Sequence, residues 1–392
     1  MTTINDRFCP VRPAALALLV VLALALPAPA QESGDIHEGR GSFLIQQIPL
    51  GIWYGYGMSQ FLTNDSSSAK IQTAVGLLGA SAFYFGPMAL VWNKPMSNAQ
   101  AHLSVAMGYR GIPAGFALGD LFNLGRETYG YNVRPRMGLM VATSLGAQVG
   151  GYFLARDMSL GRATLVTAYS DFGWFDGMLA YGATRSAFDR RNPKSSPFFL
   201  AGLVGGAALG VWRQQHFDCT EGQVTFDRTA GTLGAAIPPA LIWSLTAWGD
   251  AGKEPAWLAS FAILGNVAGV YTAERIAGDV PISTGDGYII TGCTAGGALL
   301  GAGIGYLFTN PNDRGGGQLR PVIGVATLGA VGGMALGMRL THVWPTTTAL
   351  NARPERDGWA RVNVNFGAAA GAATRYATSR SFSAPQLITV EF

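Results

Sequence analysis

Glycine recurs at a fixed place in a unit of about 62 residues, and this recurrence constrains the chain more than any other feature. Segments beginning at His37, Ser97, Ser159, Thr220 and Ser283 start 60, 62, 61 and 63 residues apart. Two residues on, each has a small residue: Gly39, Ala99, Gly161, Gly222 and Gly285. Three residues on, each is polar: Arg40, Gln100, Arg162, Gln223 and Asp286. Fourteen residues on, each has glycine: Gly51, Gly111, Gly173, Gly234 and Gly297. Eighteen residues on stand Gly55, Gly115, Gly177, Pro238 and Gly301. A fixed period of this kind marks one supersecondary unit used in tandem. A second half of each unit carries its own small pair: Gly146/Gly150, Gly206/Gly210, Gly265/Gly269 and Gly329/Gly333, with the weaker Ala82/Gly86 in the first copy. Pro135, Pro197, Pro255 and Pro321 precede four of these pairs, and proline suits a first helical turn, where no N–H is needed. Five units, each with halves A and B, fill residues 37 to about 342.

The paired glycines are four residues apart, which puts them on one helical face. Ser97, Ser159, Thr220 and Ser283 are good N-cap residues for the A halves. Ile289 to Phe308 and Val322 to Met338 contain no charged residue, and a helix apolar all round must be buried in protein or lipid. The expectation is therefore a mainly α integral membrane protein of five Gly-rich helical hairpins. Its ten spans run roughly over 43–62, 70–92, 99–122, 137–156, 160–184, 198–213, 226–248, 256–274, 287–308 and 321–341. The glycine spacing resembles that of glycine-zipper membrane helices, a packing motif in which small faces let backbones approach closely.

Composition agrees. Charged residues are 13% of the chain, against about 25% in ordinary soluble proteins. The mean hydropathy of +0.24 is modest because glycine and alanine dilute the apolar signal. The formal net charge of +4 is spread thinly, with no basic stripe of the kind that tracks nucleic acid.

Residues 1–30 read as a secretory signal peptide. Arg7 and Arg12 precede an apolar run from Ala14 to Leu26, and Ala28-Pro29-Ala30 forms a small-x-small cleavage site. No cysteine follows that site, so a lipoprotein anchor is not indicated. Cys219 and Cys293 would remain after processing and are able to pair in an oxidising compartment. Export puts the mature N-terminus outside and every A-to-B loop inside. Those loops hold Arg126, Arg134, Arg136, Arg185, Arg190, Arg191, Lys194, Lys253, Arg314 and Arg320. The B-to-A loops hold only Lys94, Arg156, Arg162, Arg213 and Arg275. An excess of cations in the A-to-B loops also places them in the cytoplasm. A bacterial-type cell envelope follows, with the inner membrane favoured.

Residues 343–392 leave the repeat as an extracytoplasmic tail. Trp359–Phe366 and Pro385–Phe392 alternate like strands. The terminal Phe392 keeps open a second architecture, an outer-membrane β-barrel with a structural or passive-transport role.

No catalytic motif stands out. GxSxG, HExxH, CxxC and a Walker A loop are all absent, and His37, His102, His216 and His342 are scattered. No metal site, cofactor or enzymatic activity is expected, and an intramembrane enzyme would lack a recognisable catalytic set. Ionisable residues inside apolar spans are the functional candidates, because lipid makes them costly. They are Arg110, Asp171, Asp176, Asp227 and Arg228, with His102 and Asp120 nearer the span ends. Arg110 and Asp171 fall at similar depth on neighbouring A helices, so an ion pair between them is expected, either fixing helix register or lining a polar path. Membrane lipid is the expected partner, with self-association or an envelope partner through the glycine faces. N-terminal sequencing of the exported chain is expected to start near Gln31; a mature chain starting at Met1 would remove the signal-peptide reading.

Overall fold

The computed structural model describes residues 38–63, 69–127, 130–187, 194–216, 219–245, 256–277, 281–309 and 319–343, with the short segments 361–364 and 388–391. The signal peptide, the 246–255 and 310–318 loops and most of the tail lie outside the described residues. Ten α-helices account for nearly all of the described chain: α1 (Glu38–Leu62), α2 (Ala69–Val91), α3 (Asn98–Leu121), α4 (Arg134–Leu154), α5 (Leu160–Ala187), α6 (Ser195–Gln214), α7 (Glu221–Leu245), α8 (Ala256–Ala277), α9 (Thr284–Leu307) and α10 (Leu319–Leu340).

The expected caps are in place. Ser97 Oγ accepts from the Gln100 backbone N–H at 3.2 Å, and the Gln100 side chain accepts from the Ser97 N–H at 3.1 Å. Thr220 and Gln223 repeat this reciprocal box at 3.2 and 2.9 Å. Ser283 Oγ accepts from Asp286 N–H, and Ser159 Oγ from Arg162 N–H. Each box satisfies amide donors that a helix start would otherwise orphan. The small residue two positions after the cap has its own cause. A Cβ on Gly39 would strike the Ser97 carbonyl, and one on Gly222 would strike the Ser283 carbonyl. In both places the start of one A helix lies directly beneath the cap of the next.

The pairs α1/α2, α3/α4, α5/α6, α7/α8 and α9/α10 are antiparallel hairpins. Gly51 abuts Ala80 while Gly55, one turn on, abuts Gly76, one turn back. Gly173 meets Gly202, Gly234 meets Gly265, and Gly297 meets Gly329, in each case so closely that neither glycine has room for a Cβ. In α3/α4 the same approach is made between Gly111 and Thr143/Ser144 and between Gly115 and Met140/Thr143. The Thr143 hydroxyl there donates to the Gly111 carbonyl at 2.8 Å.

The chain divides into two compact units. In unit 1 (residues up to 167, with 194–200), α1 packs on α3 and α4 as well as on α2. Its core is built on Phe43, Leu50, Tyr54, Met96, Val105, Met140 and Val141. In unit 2 (168–193 and 201 onward), α7 packs on α8, α9 and α10. Its core gathers Phe226, Ala230, Ala273, Ile282, Ile290 and Met338.

Among the described residues, five segments are long and apolar enough to cross a membrane: α2, α4 with its following 3-10 turn, α6, α9 and α10. Ten helices therefore stand where ten spans were expected, but only half meet that criterion by themselves. The remaining five are more polar for an identifiable reason: α1, α3, α5, α7 and α8 carry Gln47, Arg110, Asp171, Asp176, Asp227, Arg228, Asn266 and Glu274.

The barrel alternative is not supported. Among the described residues, strands are limited to a two-residue pair (β1, Arg126–Glu127; β2, Gly130–Tyr131) and one pair in the tail. The tail pair joins β3 (Arg361–Val364) to β4 (Ile388–Glu391), antiparallel, with Arg361 opposite Glu391 and Val364 opposite Ile388. The long apolar segments lack the in–out alternation a barrel strand needs, and their small residues at i and i+4 favour helix packing.

Gly297→Ala is expected to destabilise the α9/α10 hairpin by about 1–3 kcal/mol, the usual cost of overpacking. Gly296→Ala, whose Cβ would meet open space, should be neutral or stabilising by up to about 1 kcal/mol. Thermal unfolding of the two variants, followed by circular dichroism, checks the reversal of sign.

Candidate functional site

The crossing points are only partly those read from the sequence. Gly51, Gly55, Gly111, Gly115, Gly173, Gly234, Gly265, Gly269, Gly297, Gly301, Gly329 and Gly333 all sit at close interhelical approaches, and Gly177 lies against Gly202. Gly146 and Gly150 do not: a Cβ on either would meet nothing. On α4 the approach belongs instead to Met140, Thr143, Ser144 and Gly151. On α2 it belongs to Gly76 and Ala80, while Gly86 faces open space. On α6, Gly202 and Gly206 make the contacts with α5, one turn earlier than the Gly206/Gly210 pair; Gly210 is nevertheless buried. Glycine count alone identifies a small residue but not the face it occupies. Serine and threonine also fill crossing positions when their hydroxyls bond across.

Polar side chains gather inside each unit. In unit 1, Tyr54 OH lies 2.9 Å from Ser144 Oγ and donates to Gln148 Oε1 at 3.3 Å. Gln148 Nε2 donates to Gln47 Oε1 at 2.5 Å, and Gln47 Nε2 donates to the Phe83 carbonyl at 3.2 Å. Ser104 Oγ donates to the Gln148 carbonyl at 2.9 Å. Gln47, Tyr54 and Ser144 are completely buried. This network is neutral, and its donors and acceptors are matched.

Arg110, also in unit 1, is part-buried on α3. It donates to the Ala106 carbonyl at 2.7 Å and to the Thr167 carbonyl at 3.0 Å. Close to the α3 C-terminus, Asp120 accepts from Ser196 Oγ at 2.7 Å and pairs with Arg136 at 3.5 Å. His102 Nε2 lies 3.4 Å from Thr167 Oγ1.

Unit 2 is different: its interior is rich in acceptors. Asp171 is ion-paired with Arg228, which comes from α7. Asp176 accepts from Asn266 Nδ2 at 3.1 Å, and Asn266 Oδ1 is buried without a hydrogen-bond partner among the described residues. Asp227 is 8% exposed, and its Oδ1 is likewise unpartnered. It faces Glu274 and Arg213. Arg213 is ion-paired with Glu274, donates to Tyr169 OH at 2.5 Å, and stands 5.4 Å from the centre of the Tyr169 ring.

Tyr169, Arg213, Glu274, Asn266 and the unit 1 amides were not among the sequence candidates. Hydropathy places Arg213 in a loop, but α6 runs to Gln214, so Arg213 lies in its last turn. Glu274 fell on the last residue of its expected span, whereas α8 continues to Ala277. Gln47 and Gln148 carry no charge, and a search limited to ionisable groups passes over them. Polar residues of any kind inside apolar segments would have been the better signal.

Cys219 and Cys293 form no disulfide with each other in the structure, so the pairing allowed by the sequence is not made. Among the described residues, no three His, Cys, Asp or Glu side chains come together as a metal site. No family model, curated protein or solved structure matches the chain.

Gln148→Leu is expected to cost about 1–3 kcal/mol, because it leaves the buried Tyr54 and Gln47 groups short of a partner. Ser81→Ala, at an exposed serine that bonds only within its own helix, should stay within about 0.5 kcal/mol. Unfolding midpoints of the two purified variants make the comparison.

Proposed function

We propose that this chain is a non-enzymatic integral membrane module of the cell envelope. In this reading it is a tandem array of five helical hairpins packed through glycine faces, acting as a scaffold or as a transport path lined by its interior polar groups. The carrying observation is the inverted distribution of polarity. Leu299, Leu300, Leu307 and Phe308 are each more than 70% exposed, while Gln47, Tyr54 and Ser144 are completely buried. α2 has no buried residue among those described, and Ile71, Leu77, Leu78, Phe85 and Leu90 all lie on its surface. Water-soluble monomers rarely expose apolar patches beyond a few hundred Å². Lipid accepts such a surface and requires polar groups to be satisfied inside the protein.

The glycine contacts support the zipper reading, because helices in lipid associate by close packing of small residues. The hairpin contacts at Gly51/Ala80, Gly111/Thr143, Gly173/Gly202, Gly234/Gly265 and Gly297/Gly329 recur every 59 to 64 residues along the chain, which supports the tandem repeat. Trp92 and Trp212 are exposed beside helix ends, where aromatic side chains anchor to a membrane interface. Export through the signal peptide, with the A-to-B loops in the cytoplasm, completes the proposed topology.

Density-gradient separation of inner and outer membranes, tracking the tagged processed chain, tests the placement. Recovery in the inner membrane is expected; recovery in the soluble fraction would overturn the membrane reading. Ion flux in reconstituted vesicles separates the two roles. A path predicts flux that falls in Asp176→Asn or Arg110→Leu, whereas a scaffold predicts none in any variant.

A further inference from the structure

One guanidinium inside unit 2 is paired with one carboxylate, and a second carboxylate lies buried in the field of both. Arg213 forms its ion pair with Glu274 and also donates to Tyr169 OH. Asp227 faces the same guanidinium and the same Glu274, but its Oδ1 is buried and accepts no hydrogen bond among the described residues. The elements packed around Asp227 bring Tyr169 from α5, Arg213 from α6 and Glu274 from α8. On α7 itself, the adjacent Arg228 is turned to Asp171. α9 and α10 contribute Ile290 and Met338 to the apolar cluster around Phe226, beside Asp227 in sequence. Among the described residues, Arg213 is thus the cation that Asp227 faces, and Glu274 already holds it. A buried carboxylate with no donor, whose nearby cation is already paired with another carboxylate, is costly, and a like charge beside it adds to the cost.

We infer that Asp227 is a proton-binding site. One proton from water forms an O–H bond on the Asp227 carboxyl and brings the Asp227–Glu274–Arg213 group from a net charge of −1 to zero. Glu274 stays ionised as the counterion of Arg213. The resulting carboxylic acid is neutral, so the buried group no longer carries an uncompensated charge, and Tyr169 accepts from the guanidinium. A proton needs a single bond, and the site offers one free oxygen rather than the several ligands a metal ion takes. The matched, neutral network of unit 1 has no counterpart to it. This inference rests on the interior of unit 2 and stands whether or not the protein lies in lipid.

Infrared spectroscopy of the purified full-length chain in detergent micelles at neutral pH is the test. The expected result is a carbonyl stretch from a protonated carboxyl that shifts on exchange into deuterium oxide. It should also shift when aspartate, but not glutamate, is labelled with 13C at the side-chain carboxyl, which identifies the group as an aspartate. Asp227→Asn should abolish the band. Glu274→Gln should abolish it as well, although Asp227 remains, because Arg213 is then left to balance Asp227 alone. Absence of the band at neutral pH, a shift with labelled glutamate instead, or persistence of the band in Asp227→Asn would each overturn the assignment.

Discussion

Direct contact between helix backbones is the constraint on which the rest of the structure depends. At Gly173/Gly202, Gly234/Gly265 and Gly297/Gly329, the carbonyl of one helix occupies the space where a side chain on the other would begin. Such an approach brings many backbone atoms into van der Waals contact at once, each contact small and their sum large. It also removes the need for large side chains at the seam. Leucines and phenylalanines are then left on the outer faces, so the hairpin becomes apolar outside because it is small inside.

Close packing has a second consequence. A narrow seam leaves little room for water, so polar groups that enter the interior must answer to one another. Unit 1 meets this requirement with neutral groups: Tyr54, Ser144, Gln148 and Gln47 pass hydrogen bonds along a chain that ends on the Phe83 carbonyl. Unit 2 places Asp176, Asp227 and Glu274 in comparable surroundings with fewer donors, and two oxygens, Asp227 Oδ1 and Asn266 Oδ1, have no hydrogen-bond partner among the described residues. The unit 1 amide network is neutral, whereas unit 2 buries carboxylates.

Much of the fold was legible because its signals are local. Ser97 with Gln100 and Thr220 with Gln223 are adjacent enough in sequence to form their boxes before any tertiary contact. Pro135 marks the start of α4 for an equally local reason, a missing N–H where none is required. The failures came where a residue's role depends on its neighbour's face. Gly146 and Gly150 share the spacing of the packed glycines but point to open space, while Thr143 and Ser144 make the contact. Arg213 and Glu274 looked like boundary residues because helix ends are poorly marked by hydropathy. Folding carried both helices a few residues further and brought the two charges together.

By itself, the sequence determined that the chain forms helices, where most of them begin, that they are too apolar and too glycine-rich for an ordinary soluble core, and that no familiar catalytic set is present. These are properties of composition, period and near neighbours, and they need no knowledge of what lies across an interface. Only the tertiary structure decided which glycines are crossing points and which charges meet. Asp171 faces Arg228, 57 residues away along the chain, and Asp227 shares a site with Glu274. Helix rotation and hairpin register set these pairings, and both are settled only when two packed surfaces select each other.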